Sequence, residues 1–321
     1  MMIENMRSPL LIVGPPRSGT SLVRDLVRLC PGVYVPPDET QFLVSYIRRA
    51  SDGASREDLA MFLDKTSFSI HMRRRGLWPD RRTLNRLLDV PQPQTAIPLL
   101  FAELARREGV EKITIWGDKT PGYALHLPLI RQIYPDLRVL AVVRDPRNVV
   151  LSMREAWGKS ILRGSVLWRD STVAMHEYLT SSGPERARAL KYEELVSDPT
   201  SVMAGVAEWL NVDFPEDALG DYYSEERWGS AKGSAGVVRG DPLRYRRLLN
   251  AKELSLIESV TFDQLQLWGY RPENAQKAYS PGRFRSGMYR AIDAPRSFRA
   301  YIKDRGVLAG VRYKLAQRRS A

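Results

Sequence analysis

The residues best suited to chemistry sit in one short stretch, Gly14-Pro15-Pro16-Arg17-Ser18-Gly19-Thr20-Ser21. Its two glycines have the G-x4-G spacing of a loop that cradles phosphate. Glycine lets backbone N–H groups approach an anion, and the start of the following helix adds a positive dipole end. Thr20 stands where a nucleotide triphosphatase carries its P-loop lysine. That lysine neutralises the β- and γ-phosphates, so its absence argues against ATP or GTP hydrolysis, and Arg17 offers a cation instead. The plain alternative is a turn that binds nothing. Two prolines, an arginine and hydroxyl residues between an apolar run and an amphipathic helix count against it.

A second constellation lies in Val139–Met153, VLAVVRDPRNVVLSM. Arg144 closes an apolar run, and Ser152 follows eight residues on, with Pro146 and Asn148 between them. Arg144 can make a paired, charge-assisted contact to a phosphate dianion. Two helical turns further, the Ser152 hydroxyl can reach the same anion. The competing structural reading pairs Arg144 with Asp145 at a helix cap. Three histidines and one cysteine leave little to build a His/Cys metal site from, and no HxxxH or HExxH spacing occurs. The sequence therefore predicts no metal, and Cys30, on the apolar side of the first helix, reads as a buried structural thiol.

The elements that must position these residues alternate. Leu10–Val13 is a continuous apolar run suited to a buried parallel strand, followed by the glycine turn, a helix carrying Leu22 to Cys30, and a strand at Val33–Val35. Residues 41–110 are less regular, with helices expected near 41–50, 56–64 and 94–108 and an exposed stretch from His71 to Gly76. Strand character returns at Ile113–Trp116, a helix follows near Leu125–Tyr134, and Val139–Val143 is the clearest buried strand. Pro146 opens a helix, proline being well tolerated at a first helical position. Further helices are expected at 164–180, 199–210 and 251–267, with a short strand at Ala187–Leu190. The fold expected is α/β: a P-loop-type, doubly wound parallel sheet flanked by helices.

The segment Leu10–Leu43 resembles the 5′-phosphosulfate loop and first helix of sulfotransferases that use 3′-phosphoadenylyl sulfate (PAPS). It is particularly similar to the Golgi tyrosylprotein and heparan sulfate branches. Arg144 and Ser152 stand as in the family's 3′-phosphate site, and Lys191-Tyr192-Glu193-Glu194-Leu195 resembles its [KR]-Y-E-[DE]-L segment. The resemblance implies that Pro16, Arg17, Ser18, Gly19, Thr20 and Ser21 hold the donor's phosphosulfate. It also implies that Tyr192 lies near the adenine, and that Lys232, Gly233 or Arg239, in a late loop, touches the 3′-phosphate. In one branch the base is a histidine after Lys-Thr, but here Lys119-Thr120 is followed by Pro121. The glutamate branch, with its bacterial relatives, has its base shortly after the first helix, which implies Glu39 as general base, with Asp38 as the alternative. Adjacent acids at a helix start also interact with the dipole, so Asp38 could cap while Glu39 reacts. Lys119 and Arg17 would then stabilise the transferring group. His126 reads as a structural residue, and Tyr123 either lines the acceptor site or simply packs.

At 321 residues, 43% of them hydrophobic, the chain can bury a full core, and its net charge is +12. Eleven Lys/Arg against Asp293 and Asp304 give +9 to residues 281–321, leaving +3 for residues 1–280. The expected organisation is a sulfotransferase domain over 1–280, with 41–110 an acceptor-side insertion, and a basic amphipathic tail over 281–321. Mixed basic and apolar residues in the tail suit peripheral association with an anionic membrane, a glycan, or a merely solvated tail. The N-terminus does not read as a signal peptide and no long apolar run occurs, so the expected location is cytoplasmic. The reaction expected is sulfuryl transfer from PAPS to a hydroxyl, of a carbohydrate, glycolipid or other glycoconjugate. Amine and tyrosine acceptors stay open, as do a P-loop kinase, an inactive scaffold, and a nucleic-acid or anion binder using the tail. The near-balanced body and the lack of a reader motif argue against nucleic acid.

Overall fold

The computed structural model describes residues 6–220, 222, 236–282, 293 and 295. Lys232, Gly233 and nearly all of the basic tail lie outside the described residues. Five parallel strands form one sheet: β1 (Arg7–Val13), β2 (Val33–Tyr34), β3 (Ile115–Lys119), β4 (Arg138–Val143) and β5 (Ala187–Lys191), in the order β2-β3-β1-β4-β5. Its helices are α1 (Thr20–Val27), α2 (Leu43–Ser51), α3 (Arg56–Asp64), α4 (Ser67–Arg74), α5 (Arg81–Leu87), α6 (Pro93–Arg107) and α7 (Leu127–Ile133). Then come α8 (Pro146–Trp157), α9 (Ile161–Ser182), α10 (Tyr192–Ser197), α11 (Pro199–Leu210), α12 (Arg244–Leu248) and α13 (Ala251–Leu267), with 3-10 turns at Pro121–His126 and Glu216–Leu219.

The apolar strand runs follow from burial on both faces of the sheet. Leu11, Val13, Val139, Ala141 and Val143 face a core built with α2, α6 and α9. Leu10, Ile12, Leu140 and Val142 point the other way, onto Val23, Leu26 and Val27 of α1 and Met203, Val206 and Leu210 of α11. Successive strand residues alternate sides, so covering both faces demands an unbroken hydrophobic run.

After β1 the chain goes to the β2 edge, returns to β3 beside β1, then crosses to β4 on the other side. That reversal opens a crevice at the carboxyl ends of the strands around β1. Five helices, α2 to α6, fill the chain between β2 and β3. The stretch from His71, expected as exposed chain, is largely helix α4, capped by Thr66, whose side chain accepts from the Ser69 N–H. Met72 is fully buried there while Arg73, Arg74 and Arg75 are exposed. The run of arginines masked a single inward-facing apolar residue per turn. Helix α1 ends at Val27, short of Cys30, which is nevertheless buried, and burial pushes its thiol up to about 11. His126 closes a 3-10 turn and stands at the N-cap of α7, as a helix near Leu125–Tyr134 requires, with no side-chain cap bond.

Candidate active site

Each strand delivers a piece of the site at its carboxyl end. Beyond β1, the loop to α1 needs its glycines for space. A Cβ on Gly14 would stand 2.3 Å from the Val142 carbonyl oxygen, and one on Gly19 2.3 Å from the Tyr192 ring. Gly19 also has φ of 91°, a left-handed conformation that costs other residues. Arg17 holds φ of 73°, the kind of local strain that clusters at functional sites. Its Nε donates to Ser152 Oγ at 3.2 Å, and its guanidinium lies 5.9 Å from the Trp157 ring centroid. Ser152 therefore serves Arg17 directly, where the sequence pairs it with Arg144.

Arg144, beyond β4, stacks on the Tyr192 ring at 4.2 Å and has no carboxylate partner among the described residues. The competing reading, a pair with Asp145, does not hold. Asp145 instead accepts from the Arg147 backbone N–H at 2.9 Å and pairs with the Arg147 guanidinium at 2.7 Å, which also reaches Glu258 at 3.0 Å. With its neighbour carboxylate taken, the Arg144 charge is left for the cleft.

The two acids after β2 part company. Asp38 turns to α4, 3.6 Å from His71 Nδ1 and 3.5 Å from Arg75 Nε. Burial opposes its ionisation, yet His71 and Arg75 lower its carboxyl to about 2. It caps no helix, since α2 begins only at Leu43, so the helix-start reading of Asp38 is corrected. Glu39 turns to the cleft and accepts from Lys119 Nζ at 2.8 Å and from Gln41 Nε2 at 2.9 Å. Lys119 also donates to Ser21 Oγ at 3.3 Å. The Glu39 side chain is 34% exposed and that of Lys119 4%, so the carboxylate is reachable while the ammonium is sunk behind it. Desolvation works against the Glu39 charge, but Lys119, the Gln41 amide and Arg24 outweigh it and hold the carboxyl below its usual range.

Pro16, Arg17, Gly19, Thr20, Ser21, Glu39, Arg144, Ser152 and Tyr192 all line one cleft of ≈ 660 Å³. Ser18 lies beneath it, fully buried, with its Oγ unpartnered. Trp157, Arg244 and Arg247 also line the cleft and escaped the sequence reading. Trp157 had one signal, a large aromatic directly before the Gly158 helix cap. Arg244 and Arg247 are engaged by Glu155 and Asp241, both at 2.7 Å. His126 faces Arg48, and Tyr123 is buried beneath the site rather than lining it. Among the described residues, no group of three His, Cys, Asp or Glu could hold a metal ion, and no helix is long and apolar enough to cross a membrane.

A glycine loop, the cleft-lining cations Arg17 and Arg144, and the Glu39–Lys119 pair, all at the carboxyl ends of a parallel sheet, are parts suited to group transfer. Residues 9–216 match the model described as Sulfotransferase family, and the chain belongs to that family: it is a sulfotransferase. A Caenorhabditis briggsae protein named "Putative protein-tyrosine sulfotransferase" is 20% identical over 224 residues, 68% of this chain and 70% of that one. The sulfotransferase domain of the Synechococcus PCC 7002 olefin synthase has a similar fold, with a TM-score of 0.55 and 23% identity, covering 83% of this chain and 96% of that one. The sulfotransferase domain of the curacin biosynthetic pathway has a TM-score of 0.51 at 18% identity, covering 84% and 100%.

Proposed function

We propose that the enzyme moves a sulfuryl group from PAPS to an acceptor hydroxyl, with Glu39 as general base and Lys119 and Arg17 as the cations. One observation carries this reading. Lys119 bridges Glu39 to Ser21, which joins a carboxylate open to the acceptor with the loop that takes the donor. The cleft fits such a donor. Ser18 leaves a buried hydroxyl unsatisfied under the loop, and buried polar atoms ordinarily find partners. Gly19 keeps the loop flush against Tyr192, and Arg144 lies above that ring with no carboxylate partner among the described residues.

In the reaction the acceptor oxygen forms the new bond to sulfur, and its proton passes to Glu39. The bond from sulfur to the oxygen of the 5′-phosphate breaks, and adenosine 3′,5′-bisphosphate (PAP) departs with that electron pair. Arg17 and Lys119 meet the charge that grows on the equatorial and leaving oxygens, where fixed donors count most. A donor sulfuryl group also draws Lys119 away from Glu39, which raises the carboxylate's basicity when it is needed. The acceptor we propose is a carbohydrate or glycoconjugate hydroxyl, reached from the side of helices α2 to α6. The basic residues of 281–321 support a cytoplasmic enzyme that visits anionic membrane, where a glycolipid would be met.

Calorimetric titration with PAP, without magnesium, tests the donor site. The expected result is micromolar or tighter binding that Arg17→Ala abolishes. A folded wild-type protein that ignores PAP but binds ATP would sink the reading in favour of a kinase.

A further inference from the structure

Beneath the Glu39–Lys119 pair lies a buried network that none of the roles above uses. At its centre is Asp118, next to Lys119 on β3 and 1% exposed. Each carboxylate oxygen takes a different hydroxyl: Thr120 Oγ1 donates to Oδ1 at 2.9 Å, and Thr40 Oγ1 donates to Oδ2. Thr40 Oγ1 is also 2.8 Å from the Tyr123 hydroxyl, which accepts from the Leu43 N–H at 2.9 Å. On the other arm, the Gln41 N–H donates to Thr120 Oγ1 at 3.4 Å.

A hydroxyl has one proton to give, which sets the direction of both chains. One runs from the Leu43 N–H through Tyr123 and Thr40 to the carboxylate. The other runs from the Gln41 N–H through Thr120 to the same carboxylate. Both end on acceptors, so only a group accepting at two oxygens completes them. Asparagine offers one acceptor oxygen and serves one arm in this direction.

Thr40 follows Glu39 and Thr120 follows Lys119, so the two arms grip the backbone beside both members of the pair. They also hold Gln41, at φ of 56°, in the conformation from which its amide reaches Glu39. We propose that Asp118 is a positioning residue for sulfuryl transfer: through Thr40 and Thr120 it holds Glu39 and Lys119 in register across two strand ends. This rests on Glu39 being the base. Stability alone is a poor reason for the arrangement, because burial, with no direct cation partner among the described residues, pushes the Asp118 carboxyl up to about 6.

The test is a carbon-13 NMR titration of the Glu39 side-chain carboxyl in the full-length protein, with Glu39→Gln assigning the signal. The charged groups around Glu39 are Lys119 from β3, Arg24 from α1 and Asp118 itself. The near-isosteric pair Thr40→Val/Thr120→Val keeps Lys119 and Arg24 and cuts the ties. Losing both donors also favours protonated Asp118, which by itself lowers the Glu39 midpoint, so a rise marks lost positioning. The double variant should raise the Glu39 midpoint by about one unit, a tenfold change in acidity, and Thr40→Ser/Thr120→Ser should restore it. Thr120→Val alone, cutting one arm, should give a smaller rise and serves if the double variant does not fold. Asp118→Asn removes a negative charge, which by itself lowers the midpoint, so a rise there also marks lost positioning. An unmoved midpoint in folded valine variants, or serine variants that shift as valine does, overturns the proposal. The same samples are titrated with PAP: failure of the wild type to bind condemns the donor site and leaves the Glu39 titration to decide the role of Asp118.

Discussion

Replacing Arg144 by Ala is the sharpest probe of the donor site, because its effect should depend on the ligand offered. The guanidinium stacks on Tyr192 at 4.2 Å and spends no charge on a carboxylate among the described residues. A charge-assisted hydrogen bond is worth about 1.5–3 kcal/mol, so losing the contact to a 3′-phosphate should weaken PAP roughly 10- to 150-fold. Adenosine 5′-phosphate lacks that group, and its affinity should change by less than about threefold, the residue of a lost stacking partner. Calorimetry of both ligands against wild type and Arg144→Ala, at one fixed salt concentration, gives the two ratios. Equal losses for both ligands would mean that Arg144 acts through Tyr192 or the loop. No loss for either would remove Arg144 from the site. Both results refute the assignment to the 3′-phosphate.

Three further outcomes follow from the geometry. Gly19→Ala places a methyl carbon 2.3 Å from the Tyr192 ring at φ of 91°. Left-handed strain alone costs roughly 1–2 kcal/mol, so the melting temperature should fall by at least about 2 °C, with weaker PAP binding; an unchanged melting curve would deny the contact. Glu39→Gln should lower kcat by about 100- to 10,000-fold while PAP affinity stays within a factor of a few, and full turnover by this variant would exclude a general base here. Asp38 has a folded pKa of about 2 against an ordinary 3.8, so its contribution is present above about pH 4 and is lost as the pH falls through 2. That difference amounts to at most about 2–3 kcal/mol, less whatever solvent screens from a side chain 30% exposed. Denaturant unfolding at pH 7 and pH 3 should therefore show a smaller pH effect in Asp38→Asn, and an identical pH dependence would count against the His71 and Arg75 contacts.

By itself the sequence determined the class of fold and which strand ends carry the candidate site. The continuous run Leu10–Val13 implies a strand covered on both faces, and the glycines of the loop announce where the backbone packs too closely for a side chain. Arg144 was legible as a candidate from its place at the end of an apolar run, whereas Glu39, Lys119 and Tyr192 were legible only through the family resemblance of their segments. The structure places Arg144, Glu39 and Tyr192 in one cleft, with Lys119 bonded to Glu39. Tertiary structure alone decided between adjacent acids. Asp38 and Glu39 diverge because His71 and Arg75 take one and Lys119, 80 positions along the chain, takes the other. It likewise gave Ser152 to Arg17, Asp145 to Arg147, and both flanking threonines to Asp118. Periodicity and spacing report the path of the backbone. In a loop between elements, where no repeat sets the direction of a side chain, the partner that turns it comes from another strand.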